Sequence, residues 1–256
     1  MKRIFSAILC LVILIPCFVF AANASTNPYV FYDVPVESRV YPYVGSGLIW
    51  EWDASFLETH YFYPDRVVTR GEMLVWFYEG AKGYKRAFPK YEYIDTSTQT
   101  GCPFSDVDIN TPLGQAVTWA YKAGLIKGVT EDLFCPDDPV TREMACVIYH
   151  RYSEYLQIEL TEKRDFSPPD LKDVSVWAKE GVKFCIEAGF VRGFPDGTSK
   201  PGQVLTRAQL AVIEDRHNYY VNVIVDENGI SVSPISILSS HTGRNTGLQN
   251  NNVIWL

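Results

Sequence analysis

The sequence predicts a mainly α protein built from three similar helix-loop-helix units, and three observations predict it. A Pro stands five residues ahead of a Thr-Arg pair at Pro64/Thr69-Arg70, Pro136/Thr141-Arg142 and Pro201/Thr206-Arg207. An Asp-Val pair precedes each of these, at Asp33-Val34, Asp106-Val107 and Asp173-Val174. Each Thr-Arg pair opens a short, largely apolar stretch: Met73, Leu74, Trp76, Phe77; then Ala145, Val147, Ile148, Tyr149; then Leu210, Ala211, Ile213. The Thr-Arg pairs are 72 and 65 residues apart, so one unit recurs, and a recurring unit implies stacked modules rather than a single globular core.

At the N-terminus, Met1-Lys2-Arg3, an apolar run over residues 4–20 and Ala22-Asn23-Ala24 read as a signal peptide over 1–24. A retained N-terminal anchor is the rival reading. The first copy spans 31–82. Here Thr69-Arg70-Gly71-Glu72 reads as a capping box, Thr accepting from the helix and Glu72 reaching back to the N–H of the cap. Residues 83–101, rich in Tyr, Lys and Thr, read as a linker loop. The second copy spans 102–156 and the third 166–218. In these the run from Ala116 to Gly128 aligns without gaps on the run from Gly181 to Gly193, and Gly124 and Gly189 fit left-handed helix ends. Thr141 and Thr206 are the matching N-caps; Gln209 can still close a capping box, whereas Met144 cannot. Copy one carries about five extra residues between Gly47 and Thr69. From 219 onward Tyr220 to Val225, then Asn228-Gly229, then Ile230 to Ser233 read as a β-hairpin. The chain closes on a polar tail without periodicity.

Composition narrows the function classes. The 256 residues carry a net charge of -7, and removing the leader leaves 21 basic against 30 acidic residues. Such a balance argues against a nucleic-acid partner, which needs clustered Lys and Arg. Four cysteines remain after the leader; Cys146 and Cys185 sit where small apolar residues would, and Cys102 with Cys135 is the pair to test for a disulfide. No Cys-x-x-Cys occurs and the four His are scattered, so neither a metal nor another cofactor is expected. The sequence has no nucleophile elbow, His-Glu-x-x-His or phosphate-binding loop; carboxylates are plentiful, and those of the copy-one insertion, Glu51, Asp53 and Glu58, are an example of what a hydrolase would use.

The order Asp-Val, Trp-Ala, Gly-Leu-Ile-x-Gly, Phe-x-Pro and Thr-Arg-x-x resembles the surface-layer homology module, usually found in three copies. The likeness is strongest over 104–152 and 171–216, where Phe104-Ser105-Asp106-Val107, Phe134-Cys135-Pro136 and Gly193-Phe194-Pro195-Asp196-Gly197 carry it. The resemblance implies a pseudo-threefold bundle with the first helices contributing to a shared core, the Thr-Arg helices outside, and grooves between copies. It also implies a non-enzymatic, extracellular protein held at the bacterial cell wall by an anionic, pyruvylated secondary cell-wall polysaccharide. Arg70, Arg142 and Arg207 are then candidate carboxylate forks at helix starts; pairing with acids between copies is the other reading. Asp33, Asp106 and Asp173 are either ligand contacts or caps. Trp177 is placed at a groove edge and Trp119 in the core or on a sugar face. Gly128 and Gly193 are read as backbone positions requiring close approach, beside the ligand. A structural module without glycan binding, pairing with another exported protein through the hairpin, and a small exported glycan hydrolase are the alternatives.

Overall fold

The computed structural model describes residues 31–35, 37–44, 61–87, 93–99, 101–156, 158, 160, 163–221, 224–226 and 229–231. The signal peptide, most of the copy-one insertion and the polar tail lie outside these residues. In chain order the helices are α1 (Tyr41–Val44), α2 (Arg70–Ala87), α3 (Pro112–Lys122), α4 (Arg142–Tyr155), α5 (Lys179–Glu187) and α6 (Arg207–Val221). After them come two strands, β1 (Ile224–Asp226) and β2 (Gly229–Ser231), which pair antiparallel with Val225 opposite Ile230. The chain is mainly helical.

Local chemistry sets the helix ends. Thr69 Oγ1 accepts from Glu72 N at 3.3 Å while Glu72 Oε2 accepts from Thr69 N at 3.0 Å, so the capping box is reciprocal. Thr206 and Gln209 repeat it at 3.4 and 3.3 Å; at Thr141 the hydroxyl accepts from Met144 N and Met144 returns nothing. α3 starts on the Thr111 cap with Pro112 in its first turn, where a missing N–H costs nothing. It stops at Gly124 (φ +73°), with Leu125 N donating to Ala120 O and Gly124 N to Tyr121 O, a Schellman end. Gly189 (φ +77°) ends α5.

The three segments leading into the Thr-Arg helices close a ring of backbone hydrogen bonds. Val68 N donates to Leu205 O, Leu205 N to Val140 O, and Val140 N to Val68 O, at 3.0, 2.8 and 3.0 Å, and all three side chains are fully buried. Around this ring α2 packs on α3, α4 on α5 and α6 on α1, so each Thr-Arg helix covers the first helix of another copy.

The Thr-Arg helices themselves meet in the interior, which corrects the expectation that they lie outside. Phe77 of α2 and Tyr149 of α4 are edge-on at 4.9 Å, and Tyr149 lies 5.2 Å from His217 of α6, all three buried. The Tyr149 hydroxyl donates to Glu214 Oε2 at 2.6 Å. Trp119 is fully buried among Tyr78, Tyr152 and Tyr155, which places it in the core rather than on a sugar. At the crossing of α4 and α5 a Cβ on Gly181 would stand 2.8 Å from Val147 Cα, so only Gly lets these backbones touch. The segment read as a linker is partly structural: α2 runs on to Ala87, and Thr96 is buried, sharing a hydrogen bond with Tyr78 and donating to Gln115 O.

Candidate functional site

Each copy builds one clamp. The Asp33 carboxylate accepts from Phe62 N and Tyr63 N at 2.8 and 2.6 Å; Asp106 accepts from Phe134 N and Cys135 N at 2.9 and 2.7 Å. In copy three this role belongs to Asp170, which accepts from Ser199 N, Lys200 N and Ser199 Oγ at 2.8, 2.7 and 3.0 Å. Asp173 instead sits exposed in the single turn Leu171–Asp173, so the position predicted from the Asp-Val pattern is not the equivalent one. Partial burial opposes ionisation of Asp106 and Asp170, yet the N–H groups outweigh it and hold both carboxyls below the usual range.

The clamp holds a strained residue. Tyr63, Cys135 and Lys200 have φ of 55°, 56° and 48°, left-handed positions for residues with a Cβ, and each precedes a Pro. The turn so fixed aims the Pro carbonyl at another copy: Pro64 O accepts from Ala208 N, Pro136 O from Gly71 N and Pro201 O from Glu143 N. The first N–H of each Thr-Arg helix is bound as well, Arg70 N to Asp138 O, Arg142 N to Gln203 O and Arg207 N to Arg66 O, each at 2.9 Å. With the next N–H on the cap hydroxyl, the helix starts present no vacant backbone donors. An anion there depends on the guanidinium alone, contrary to the expected share for the helix terminus.

The three arginines act alike at one atom. Nε donates across copies to a backbone carbonyl: Arg70 to Phe134 O at 2.9 Å, Arg142 to Ser199 O and Arg207 to Phe62 O at 2.8 Å. Each guanidinium lies over an aromatic ring, Phe134, Phe194 and Phe62 in turn, at 4.5, 4.8 and 5.2 Å. The inter-copy partners at Nε are therefore backbone carbonyls. Beyond Nε the arginines diverge. Arg70 also reaches Lys127 O, at 3.4 Å. Arg142 is 1% exposed, and its two terminal nitrogens are buried without a hydrogen-bond partner. Burial lowers the pKa of both Arg70 and Arg142. Arg207, also over Trp76 at 5.3 Å, lines a cavity of about 270 Å³ with Thr69, Glu72, Trp76, Pro136 and Asp137.

The remaining predicted residues scatter around this frame. Trp177 is 56% exposed beside Ser175, whose N and Oγ both donate to the buried Glu143 of α4. A Cβ on Gly128 would meet Thr130 O at 2.2 Å, and one on Gly193 (φ +84°) would meet the Phe166 ring at 2.8 Å and Thr198 O at 3.0 Å; both are sites of close approach within their own copy. Cys102 and Cys135 are free thiols in the structure, against the pairing offered for test; buried Cys185 donates to Cys146 O at 3.4 Å. Among the described residues no group of His, Cys, Asp and Glu could hold a metal, and no helix is long and apolar enough to cross a membrane.

Sequence reasoning missed two features. Asp170 is signalled by separation, 30 residues from Lys200, against 30 for Asp33 to Tyr63 and 29 for Asp106 to Cys135. Tyr32, Tyr61 and Tyr63 of copy one form an exposed row with ring centroids 5.7 Å apart, signalled by the alternation Tyr61-Phe62-Tyr63 around buried Phe62.

The S-layer homology domain model matches residues 103–145 and 169–211, the two copies whose clamps are Asp106 and Asp170. A cell surface glycoprotein 1 of Acetivibrio thermocellus is 31% identical over 162 residues, covering 60% of this chain and 6% of that protein. A cellulosome-anchoring protein of the same organism is 33% identical over 91 residues, 36% of this chain and 20% of its own length. An endoglucanase of a Bacillus species is 26% identical over 221 residues, 83% of this chain and 22% of the enzyme. The chain thus spans between 6% and 22% of the length of these relatives. With matched repeats that build the same clamp, residues 103–145 and 169–211 of this chain are S-layer homology domains.

Proposed function

We propose that this chain is an exported, non-enzymatic protein of the bacterial cell surface that binds non-covalently to the cell wall through three repeats arranged about a pseudo-threefold axis. The ligand is an anionic secondary cell-wall polysaccharide bearing pyruvate ketals. Relatives named as cell surface and cellulosome-anchoring proteins support the location. The enzyme-named relatives match over a small share of their length, which supports reading the match as the anchoring part. The closed ring of Val68, Val140 and Leu205 supports the threefold arrangement, with copy one as the divergent third repeat.

One observation carries the ligand class. Arg142 places a fork of terminal nitrogens in a dry setting, held at Nε by Ser199 O and flanked by Phe194. Buried donors left unpaired cost about 1–3 kcal/mol, a cost that a carboxylate accepting two parallel hydrogen bonds removes. A ketal-linked pyruvate presents such a carboxylate on a sugar, and exposed Trp177 offers a face for the ring. The test is co-sedimentation of residues 25–256 with wall sacculi before and after the secondary polymer is stripped, using wild type, Arg142→Lys and a chain lacking 219–256. Arg142→Lys keeps charge but cannot form the fork. Pelleting that requires the polymer, falls at least tenfold in Arg142→Lys and survives the truncation is expected. Pelleting indifferent to the polymer overturns the proposal, and loss on truncation alone moves recognition to the C-terminal strands.

A further inference from the structure

Two thiols meet where α4 of copy two crosses α5 of copy three. Cys146 and Cys185 are 3% and 0% exposed, and Cys185 Sγ donates to Cys146 O at 3.4 Å. Burial pushes the Cys185 thiol well above its ordinary pKa, and a hydrogen bond with the Cys146 side chain adds to the rise. Gly181, one turn before Cys185 on the same face of α5, brings the helices together: a Cβ there would stand 2.8 Å from Val147 Cα and 3.0 Å from Cys146 O. The Cys146 carbonyl is thus met both by the α5 backbone at Gly181 and by the sulfur of Cys185. A disulfide spans a Cα separation of about 4.4–6.8 Å, less than the roughly 8–10 Å between axes of ordinarily packed helices, and a Gly contact permits that closer approach.

Packing alone does not call for sulfur here. Counted from Thr69 and Thr141, Cys146 corresponds to Leu74; in the register that sets Ala116 on Gly181, Cys185 corresponds to Ala120. α2 packs on α3 with Leu74 and Ala120 both fully buried, so the equivalent crossing closes with aliphatic side chains. Ala116 stands there in the place of Gly181. Of these two crossings, the thiol pair and the Gly that brings it together belong to α4 and α5 alone.

We propose that Cys146 and Cys185 are the site of a disulfide that cross-links copies two and three. The co-reactant is a small-molecule disulfide. The thiolate of one cysteine attacks it, forming a mixed disulfide and releasing one small thiol; the thiolate of the other then attacks the bound cysteine sulfur, forming the Sγ–Sγ bond and releasing the second. The two protein thiols are oxidised by two electrons, the small disulfide is reduced by two, and both protons leave on the released thiols. Burial disfavours the thiolates once α5 is docked, so the exchange belongs to the folding chain or to one in which α5 has opened. The bond closes a loop across 39 residues and fixes the crossing one turn beyond Arg142.

The test refolds residues 25–256 from urea in a mixture of oxidised and reduced glutathione, maps the peptides without reduction, and records thermal melts with and without dithiothreitol. A linked Cys146–Cys185 peptide is expected, with a Tm at least about 5 °C above that of the reduced protein, the shift following from loop closure. Cys102→Ser/Cys135→Ser leaves the buried pair alone and should retain both results, whereas Cys185→Ala should lose both. Four free thiols after oxidative refolding overturn the proposal, as does a Cys102–Cys135 link in place of the buried one. A Cys146–Cys185 link that leaves Tm at or below the reduced value also overturns it, since the bond then holds nothing together. None of these outcomes depends on wall binding.

Discussion

Asp170→Ala and Asp173→Ala, made side by side, discriminate the clamp seen in the structure from the one the local sequence pattern suggests. Asp170→Ala removes the acceptor for Ser199 N, Lys200 N and Ser199 Oγ, and Ser199 is buried, so its N–H is left without water as a substitute. Hydrogen bonds to a charged acceptor contribute about 1.5–3 kcal/mol each, and discounting for the partly exposed carboxylate leaves about 2–4 kcal/mol for the set. Release of Lys200 from φ 48° returns some strain but misaligns Pro201 O, the acceptor for Glu143 N, so the loss spreads to the start of α4. At roughly 2–4 °C per kcal/mol for a domain of this size, Asp170→Ala should lower Tm by roughly 4–16 °C. Asp173→Ala, on an exposed side chain, should change stability by less than about 0.5 kcal/mol. Thermal melts recorded by circular dichroism at 222 nm read both. Equal shifts, or a larger one for Asp173→Ala, would refute the assignment of the clamp to Asp170.

Glu72→Met makes copy one resemble copy two at its cap, losing the bond to Thr69 N and the 2.5 Å pair with Arg66; a loss of about 1 kcal/mol, read as a Tm lower by roughly 2–4 °C, is expected. Gly181→Ala drives a methyl to 2.8 Å from Val147 Cα, a backbone atom that cannot yield, and should cost about 1–3 kcal/mol in a urea melt; an unchanged midpoint would show that α4 and α5 separate freely. Acid should destabilise the fold through Asp106, Asp170 and Asp196, the last held down to about 2 by the Thr198 hydroxyl and N–H. Their folded pKa values lie below the unfolded value of about 3.9, so their contribution is present above about pH 4 and disappears as pH falls towards about 2. Urea midpoints at neutral pH and at about pH 3 check the sign, which a higher midpoint in acid would contradict.

The repeat and the caps were legible because both rest on short-range chemistry. A Thr three residues before Glu or Gln has one favourable partner, the N–H of its own helix, and a Gly after an apolar helical run has one favourable φ. The aspartate itself was singled out in two copies and misplaced in the third, since Asp173-Val174 reproduces the local turn while Asp170 satisfies the long-range spacing, and the clamp it forms was legible in none. A pattern confined to four residues carries no information about a bond spanning 30. The placement of the Thr-Arg helices was not legible either. Met73, Leu74, Phe77, Tyr149 and Leu210 announce an apolar face, but periodicity does not say which neighbour covers it. α2 runs through Gly80 and Gly83 to Ala87, into the segment read as a linker, because packing against α3 outweighs a propensity cost of about 1 kcal/mol per Gly.

The arginines show why one residue supports two readings that sequence analysis set against each other. A guanidinium has donors at distinct atoms, and the fold engages one of them the same way in every copy: Nε goes to a carbonyl of another copy, across 64, 57 and 145 residues for Arg70, Arg142 and Arg207. That bond aligns the plane of the group and seats it on an aromatic ring, so the terminal nitrogens are oriented before any ligand arrives. Under the proposed wall binding, staple and fork are then successive uses of one side chain. The copies differ at the terminal nitrogens: one of Arg70's is drawn to Lys127 O, whereas both of Arg142's remain buried and unpaired. Equivalent position therefore does not imply equivalent affinity, and the copy with the more complete internal hydrogen bonding is the one less prepared to bind. On this reasoning Arg70→Lys should weaken wall binding less than Arg142→Lys does, although the two substitutions are chemically identical, and pelleting that falls equally in both would return the arginines to a purely structural role.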